Sequence, residues 1–111
     1  MRPGAVIDPG HLRMRLNLEA PADDDDGQGG STGEWQHVTG LWAKLEPISA
    51  SHLEQASQIQ QAARYRVTLR HRPDVAIGMR FTRFERVFHI LTMSDPDETG
   101  RYLVCACEER S

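Results

Sequence analysis

The sequence is poor in cysteine, in lysine and in long apolar stretches. Its two cysteines are too few for a disulfide framework, which excludes a disulfide-stapled secreted scaffold and is typical of a protein from a reducing cytoplasm. No run approaches the roughly 18 to 20 continuous apolar residues that a membrane-spanning helix needs, so we expect no membrane partner. The first residues lack the apolar core and cleavage site of a secretory signal. With 111 residues, the chain is long enough for one modest core, and we expect a single domain over residues 1–111.

Recognisable catalytic motifs are missing as well. The sequence contains no G-x-S-x-G, no P-loop, no G-x-G-x-x-G and no paired-carboxylate arrangement. The glycine-rich residues 27–30 follow four aspartates, so they would repel a phosphate rather than bind one. The aspartates also lack the ligand spacing of a calcium-binding loop. We therefore expect no enzyme activity and no cofactor.

Charge is distributed unevenly along the chain. The formal net charge is −3, but residues 21–34 contain five acidic residues and no basic one, so the rest of the chain carries +2. Asp23 to Asp26 form a block of like charge, and glycines follow at 27, 29, 30 and 33. Such a stretch can bury almost nothing, which predicts a flexible, exposed acidic loop with bounds at residues 19–34.

Alternation of apolar and polar residues predicts that most of the chain forms strands. In the first of them, Leu12, Met14 and Leu16 share one face, and polar residues occupy the other. Gly40 inside the second strand indicates a bulge or a close backbone approach. The fifth strand carries apolar residues on both faces, as a central strand does. The six predicted strands span residues 11–18, 35–46, 65–72, 78–84, 86–93 and 101–108.

One segment departs from this alternation. Ser51 to Glu54 fits a capping box, and the Gln- and Ala-rich run around it predicts a helix over residues 51–63. The order of elements, with short connections, indicates a mainly all-β fold. We expect a small antiparallel β-barrel or sandwich of about six strands, with one short α-helix and a long loop between the first two strands.

Cys105 and Cys107 form the pattern that most resembles a chemical site. Residues two apart on a strand share a face, so both thiols could offer soft ligands to a metal, with His71 or His89 as further ligands. There is no second cysteine pair, and the histidines lack ligand spacing. We favour the interpretation that both cysteines are small, partly buried residues of the last strand, and we expect no metal site.

Twelve arginines stand against the single lysine, Lys44. Arginine suits fixed, bidentate interface contacts, whereas a merely solvated surface is usually served by lysine. Besides such a solvated face, two functions stay open. One is a basic β face that binds single-stranded nucleic acid in the manner of an OB-fold. The other is a subunit whose arginines meet carboxylates of a neighbour, including those of its acidic loop.

The distribution of aromatic residues bears on this choice. An OB-like module needs aromatic rings among the basic residues, but Tyr65, Phe81 and Phe88 alternate into the expected core. We therefore favour subunit contacts. The candidates for these contacts are Arg13, Arg15, Arg66, Arg70, Arg72, Arg80, Trp35 and Trp42.

Several pieces follow one another in a recognisable order along nearly the whole chain. They are Gly10-His-Leu-Arg-Met-Arg-Leu16, Leu41-Trp-Ala-Lys-Leu-Glu-Pro47, the Gln/Ala-rich helix, Tyr65-Arg-Val-Thr-Leu-Arg70-His-Arg-Pro73, Met79-Arg80, Arg86-Val-Phe-His-Ile90, Asp95-Pro96 and Leu103-Val-Cys-Ala-Cys-Glu108. In this order they resemble the phage head-tail joining family, the small head-closure or stopper proteins of long-tailed phages and gene transfer agents. The likeness lies in the order of the pieces rather than in any one motif.

This resemblance implies a homo-oligomeric ring, a hexamer or a dodecamer, at the neck of a virion or phage-like particle assembled in the bacterial cytoplasm. The ring would lie between the portal or adaptor ring above and the tail terminator or tail tube below. Residues 19–34 would be a gating loop that points into the channel and helps to retain packaged DNA without sequence-specific binding. The loop residues concerned are Asp23, Asp24, Asp25, Asp26, Gly27, Gly29 and Gly30. A ring of such loops would surround the channel with negative charge, which repels DNA phosphates.

Overall fold

The structure of the protein, a computed structural model, describes residues 8–22, 33–48 and 63–110. Six strands form a closed barrel in the order β1-β2-β3-β6-β5-β4, and every neighbouring pair is antiparallel. This confirms the prediction of a mainly all-β antiparallel fold, in its barrel form. The strands are β1 Met14–Pro21, β2 Trp35–Pro47, β3 Ala63–Arg70, β4 Arg80–Arg83, β5 Arg86–Ser94 and β6 Tyr102–Arg110.

Apolar residues that alternate along the strands fill the barrel. Leu16 and Leu18 of β1 are fully buried, as are Phe81 and Phe88, which face each other across the β4–β5 pair. Burying a side chain of this size stabilises the fold by about 1.5–3 kcal/mol. The ring of Tyr65 packs edge-on against Phe88 with 5.3 Å between ring centroids. The buried apolar residues form one cluster inside the closed sheet.

Cys105 and Cys107 belong to this core. Both are free thiols with no solvent exposure, so they are more deeply buried than the sequence interpretation assumed. Burial raises the pKa of the Cys105 thiol to about 12, and it raises the pKa of Cys107 as well. Thiolates are the form that binds metals and attacks electrophiles. Because burial keeps their thiols protonated, both cysteines are core residues and lack the metal-binding and nucleophilic reactivity of a thiolate.

The first strand begins later than predicted because the chain before it turns. Pro9–His11 form one turn of 3-10 helix, and the Asp8 side chain accepts a hydrogen bond from the Gly10 amide at 2.9 Å. Proline at the first helical position has its backbone torsion preset for such a turn. Leu12 and its neighbours alternate like a strand in the sequence, but they lie in this turn and in the chain that leaves it.

Within the described ranges, no helix has the length and apolar character that crossing a bilayer would require.

The first strand also ends later than predicted. Glu19, Ala20 and Pro21 continue β1 and pair with β2, where Pro21 lies opposite Trp35. The acidic loop expected at residues 19–34 is therefore shorter, and residues 23–32 lie outside the described residues. Most of the helix expected at residues 51–63 also lies outside them, and Ala63 begins β3.

Two bulges adjust the strand pairing. Leu18 pairs with Thr39 and Glu19 with His37, so Val38 is the extra residue of β2. The second bulge, at Leu91, lies between the pairs that Ile90 and Thr92 form with β6. A bulge shifts the inward-facing parity of its strand by one residue. This explains why β5 carries apolar residues at both odd and even positions.

Arg86, the first residue of β5, covers aromatic rings at the edge of the core. Its guanidinium carbon lies 4.9 Å from the Phe88 ring centroid and 5.3 Å from that of Tyr65. Nε and Nη2 donate to the two carboxylate oxygens of Glu109, near the end of β6, at 2.9 and 3.1 Å. These hydrogen bonds hold the pKa of Glu109 below its usual range and raise the pKa of Arg86.

The pair predicts a pH dependence of stability. Since the pKa of Glu109 is lowered by folding, its contribution is present above the ordinary glutamate pKa of about 4.3 and is lost as the pH falls through the folded-state value. We expect Glu109→Gln to lower the free energy of unfolding at neutral pH by at most about 1 kcal/mol, because the Arg86 side chain is 41% exposed and solvent screens the pair. Urea denaturation at neutral pH and across the acidic range measures this difference.

The deficit of the Glu109→Gln variant should vanish at acidic pH, where the wild-type carboxylate is protonated. Glu85→Gln is the matched control, since Glu85 is exposed in the turn before β5. A Glu109→Gln variant as stable as the wild type at neutral pH would show that the pair contributes nothing.

Candidate interaction surface

An arginine–tryptophan row crosses the outer surface of the first three strands, made of Arg15 on β1, Trp42 on β2 and Arg70 on β3. Arg15 and Trp42 are paired across the strands, and the guanidinium carbon lies 5.3 Å from the Trp42 ring centroid. Trp42 is 53% exposed, although tryptophan is among the most apolar residues of the chain. Tryptophan and arginine are the residues most enriched where a few side chains carry most of an interface's binding energy.

Gly40 makes the arrangement of Arg15 possible. A Cβ at this position would lie 2.7 Å from Nη2 of Arg15. The Arg15 side chain therefore lies across β2 where that strand has no side chain. Of the two interpretations of Gly40 from the sequence, the close approach is confirmed, whereas the bulge lies two residues earlier, at Val38.

A groove borders the row. Its volume is about 560 Å³, and it is bounded by three short stretches of chain. Gly40 to Trp42 come from β2, and Leu69 to Arg72 come from the end of β3 and the loop after it. Pro9 and Leu12, from the turn before β1, complete the lining. The groove therefore combines apolar side chains with the positive charge of Arg70, whereas Arg72 is paired with Asp74.

Ion pairs divide the candidate arginines into two groups. Arg66 lies 3.8 Å from Glu46, Arg72 makes a bidentate pair with Asp74, and Arg80 donates to Glu19 at 2.7 Å. The hydrogen bonds from Arg72 hold the pKa of Asp74 below its usual range. In the second group, no described carboxylate pairs with the arginine. This group consists of Arg13, Arg15 and Arg70.

The second tryptophan belongs to a different cluster. The Arg80 guanidinium carbon lies 4.2 Å from the centroid of the Trp35 ring, and Trp35 meets the edge of the His89 ring at 5.7 Å. Arg80 is held from its other side by Glu19. Burial, and then the nearby guanidinium groups, lower the pKa of His89, so its imidazole is neutral at neutral pH. This cluster supports the β1–β2 hairpin at the point where the acidic segment leaves it.

The structure separates the residues that a metal site at the cysteine pair would have needed. Cys105 and Cys107 face the interior, whereas His89 lies on the outer side against Trp35 and His71 is exposed in the loop after β3. The wall of the barrel therefore stands between the thiols and the imidazoles. In residues 8–22, 33–48 and 63–110, no group of three or more metal-binding side chains comes together. The loop candidates Asp23 to Asp26, Gly27, Gly29 and Gly30 lie outside the described residues.

Sequence reasoning missed three exposed apolar residues, Val38, Ile77 and Phe84. Phe84 is 86% exposed and occupies the two-residue turn between β4 and β5 with a φ of 56°. A left-handed conformation is unfavourable for a bulky residue. An Arg-Phe-Glu-Arg sequence without glycine or asparagine gives no signal of this turn, and alternation alone placed Phe84 in a strand.

Comparisons with known proteins agree with this architecture. The family described as phage head completion protein matches residues 7–110. A chain from the virion of a native gene transfer agent particle superimposes with a TM-score of 0.70 at 30% identity, covering 89% of this chain and 96% of that one. The solution structure of protein SF1141 from Shigella flexneri 2a superimposes with a TM-score of 0.69 at 24% identity over 95% of this chain and 98% of that one, a likeness of fold alone. No curated protein matches significantly.

Gly40→Ala tests the packing of Arg15 over β2. The new methyl group would displace the far end of a flexible side chain, so we expect the free energy of unfolding to change by less than about 1 kcal/mol. The Arg15 guanidinium should leave the Trp42 ring, which shifts the Trp42 indole resonance in an NMR spectrum. In an Arg15→Ala background the same substitution should leave that resonance unchanged. A Trp42 resonance that responds to Arg15→Ala but not to Gly40→Ala would contradict the described contact.

Proposed function

The chain belongs to the phage head completion protein family, and from this membership we propose that it closes the head of a phage-like particle by forming a homo-oligomeric ring to which the tail attaches. As a head completion protein it is a structural component of a virion and associates with other capsid or tail components. The proposed ring is a hexamer or a dodecamer at the particle neck. Its neighbours are the portal or adaptor ring above and the tail terminator or tail tube below, and assembly takes place in the bacterial cytoplasm.

The main structural support for this proposal is the row of Arg15, Trp42 and Arg70, which is suited to contacts with a neighbour. Arg15 lies over the half-exposed Trp42 ring, and Arg70 lines the groove beside it; neither arginine has a described carboxylate partner. Exposure of the Trp42 side chain does not stabilise the monomer. A neighbouring subunit that supplies carboxylates would bury the indole and at the same time form ion pairs with the two arginines. We assign contacts with neighbouring proteins of the particle, whether copies of this chain or other components, to this face and to Arg13. Arg66, Arg72 and Arg80 already have carboxylate partners within the chain.

We propose that the acidic segment lines the central channel. The β1–β2 hairpin carries this segment from the paired residues Pro21 and Trp35, so the hairpin fixes where it starts and returns. A ring of copies would concentrate the charge of Asp23 to Asp26 in one place. Negative charge around the channel repels DNA phosphates, which limits adhesion to passing DNA and helps to retain the packaged genome.

The proposed protein works without catalysis and without a cofactor. Its two thiols are sealed in the core, and burial keeps both protonated. The polar side chains with partners on the described surface form ion pairs or hydrogen bonds within the fold. The protein would therefore close the head and attach the tail through its shape, its symmetry and its contacts with other subunits.

Two substitutions on the same face of β3 test the subunit interface. Arg70→Gln removes a cation of the row, and Arg66→Gln removes an exposed cation that already pairs with Glu46. We expect Arg70→Gln, or Trp42→Ala, to reduce the yield of tailed particles on the order of tenfold, since losing one such contact costs more than about 1 kcal/mol. Arg66→Gln should change it little. Circular dichroism of each purified variant checks that the barrel is intact.

Equal yields for Arg70→Gln, Trp42→Ala and Arg66→Gln, with all three folded, would remove the row from the interface. The same variants address the alternative of an OB-like single-stranded DNA-binding module. In that case Arg70→Gln would weaken the binding of single-stranded DNA, with an affinity that falls steeply with salt. The described tryptophans favour the connector, because each has an arginine guanidinium over its ring and is less available for base stacking.

Deletion of residues 22–32 tests the acidic segment. The deletion joins Pro21 to Gly33 and leaves Gly33 and Glu34 as a two-residue turn, for which the φ of +77° at Gly33 is suitable. We expect a folded monomer whose particles leak DNA or fail to join tails, measured by nuclease-sensitive DNA and by infectious or transducing titre. Substituting Asp23 to Asp26 with asparagine keeps the length and isolates the charge. Intact DNA and an unchanged titre in the deletion would refute the proposed role.

A further inference from the structure

The N-terminal half of β2 has a strand neighbour on one edge only. Residues 35–43 pair with β1, whereas pairing with β3 begins at Ala43 and ends at Pro47. Among the described residues, no strand pairs with the other edge of residues 36–42. A staggered barrel leaves such an overhang because strands of unequal length pair only where they overlap.

At the start of this overhang, side chains are exposed in the part of the chain that the structure describes, whereas Leu41 further along belongs to the core. Gln36 and His37 are both exposed and, as consecutive residues of a strand, point to opposite sides of the sheet, and the bulge residue Val38 after them is exposed too. The strand therefore offers backbone N–H and C=O groups at an accessible edge. Unpaired groups of this kind are a template for strand addition by another chain.

The groove beside the row lies along the same edge. Gly40 to Trp42 and the chain that leaves β3 at Leu69 to Arg72 line it, together with Pro9 and Leu12 from the turn before β1. β3 departs from β2 at this point, so the groove continues the position that a further strand beside β2 would take. Its apolar lining suits an alternate side chain of such a strand, and Arg70, without a described carboxylate partner, suits an acidic one.

We propose that residues 36–42 of β2 accept an extended acidic segment of a different particle protein as an added strand, whose carboxylates meet Arg70. The proposal rests on the proposed function, because it names the kind of neighbour that this edge of the connector takes. Main-chain hydrogen bonds along β2 would supply affinity. The groove and Arg70 would supply specificity for the segment.

A second copy of this chain fits the edge poorly. Of its segments outside the described residues, only residues 23–32 hold more than one acidic residue, and their aspartates and glycines are unfavourable in strands. The bulge at Val38 also twists the edge, which disfavours flat pairing between two identical edges. A foreign segment with alternating acidic and apolar residues meets neither obstacle.

Hydrogen exchange with mass spectrometry tests the added strand in intact particles and in the isolated chain. Because alternate amides of an edge strand point outward, we expect roughly half of the amides of residues 36–42 to exchange at least about tenfold more slowly in the particle. β6, which is paired on both sides, is the internal control and should change little. Equal exchange of residues 36–42 in both samples would overturn the proposal.

A photo-crosslinking residue at Val38 identifies the occupant in the same particles. We expect a cross-link to an acidic segment of another particle protein, and a cross-link to a second copy of this chain would overturn the proposal. Arg70→Glu should abolish the cross-link and the amide protection. Arg101→Glu, which reverses an exposed charge outside the groove, should preserve both.

Ring formation, measured separately by the size of the oligomer after chemical cross-linking, distinguishes the two proposals. A particle with an intact ring and unprotected β2 amides would contradict the added strand alone. Protected amides and a foreign cross-link in particles whose copies form no ring would contradict the ring alone.

Discussion

Three residue pairs between β1 and β4 close the sheet, and the rest of the molecule depends on them. They are Asn17–Thr82, Leu18–Phe81 and Glu19–Arg80. In the second pair both side chains are buried without exposure, and in the third the carboxylate accepts a hydrogen bond from the guanidinium at 2.7 Å. Closure thus joins an apolar contact on the inside to an ion pair on the outside. Without it, β1 and β4 would be edges, and the inner face of the sheet would be open to water.

The Glu19–Arg80 ion pair, which helps to close the barrel, also removes one arginine from those that a partner could contact. Arg80 is used by Glu19 and by the ring of Trp35, so it stabilises the hairpin rather than a partner. Arg15 meets an aromatic ring instead of a carboxylate, because the strand register places Trp42 opposite it. A small barrel with many arginines therefore contains two populations of the same residue. Strand register, rather than composition, assigns each arginine to one of them.

The sequence predicts the inside of this barrel better than its outside. Alternation places Phe81 and Phe88 in the core because burial follows a period of two, which any strand must obey. Strand ends follow no such period: β1 continues to Pro21, which lies opposite Trp35. Likewise, alternation puts Arg66 and Arg70 on one face of β3 but cannot tell which has a carboxylate neighbour, since Glu46 is close to Arg66 only after β2 and β3 pair. Composition makes the acidic segment between β1 and β2 evident. Its charge alone does not predict where on the barrel these two strands place it.

The position of the two cysteines has a consequence for the particle as a whole. A virion leaves a reducing cell and enters an oxidising environment, where exposed thiols on adjacent copies become covalently linked. Here Cys105 and Cys107 face the interior of the barrel, and the closed sheet separates them from any neighbouring molecule. The thiols of this protein are therefore shielded from disulfide exchange with neighbouring proteins after release, so exposure to an oxidant does not by itself cross-link it through these cysteines.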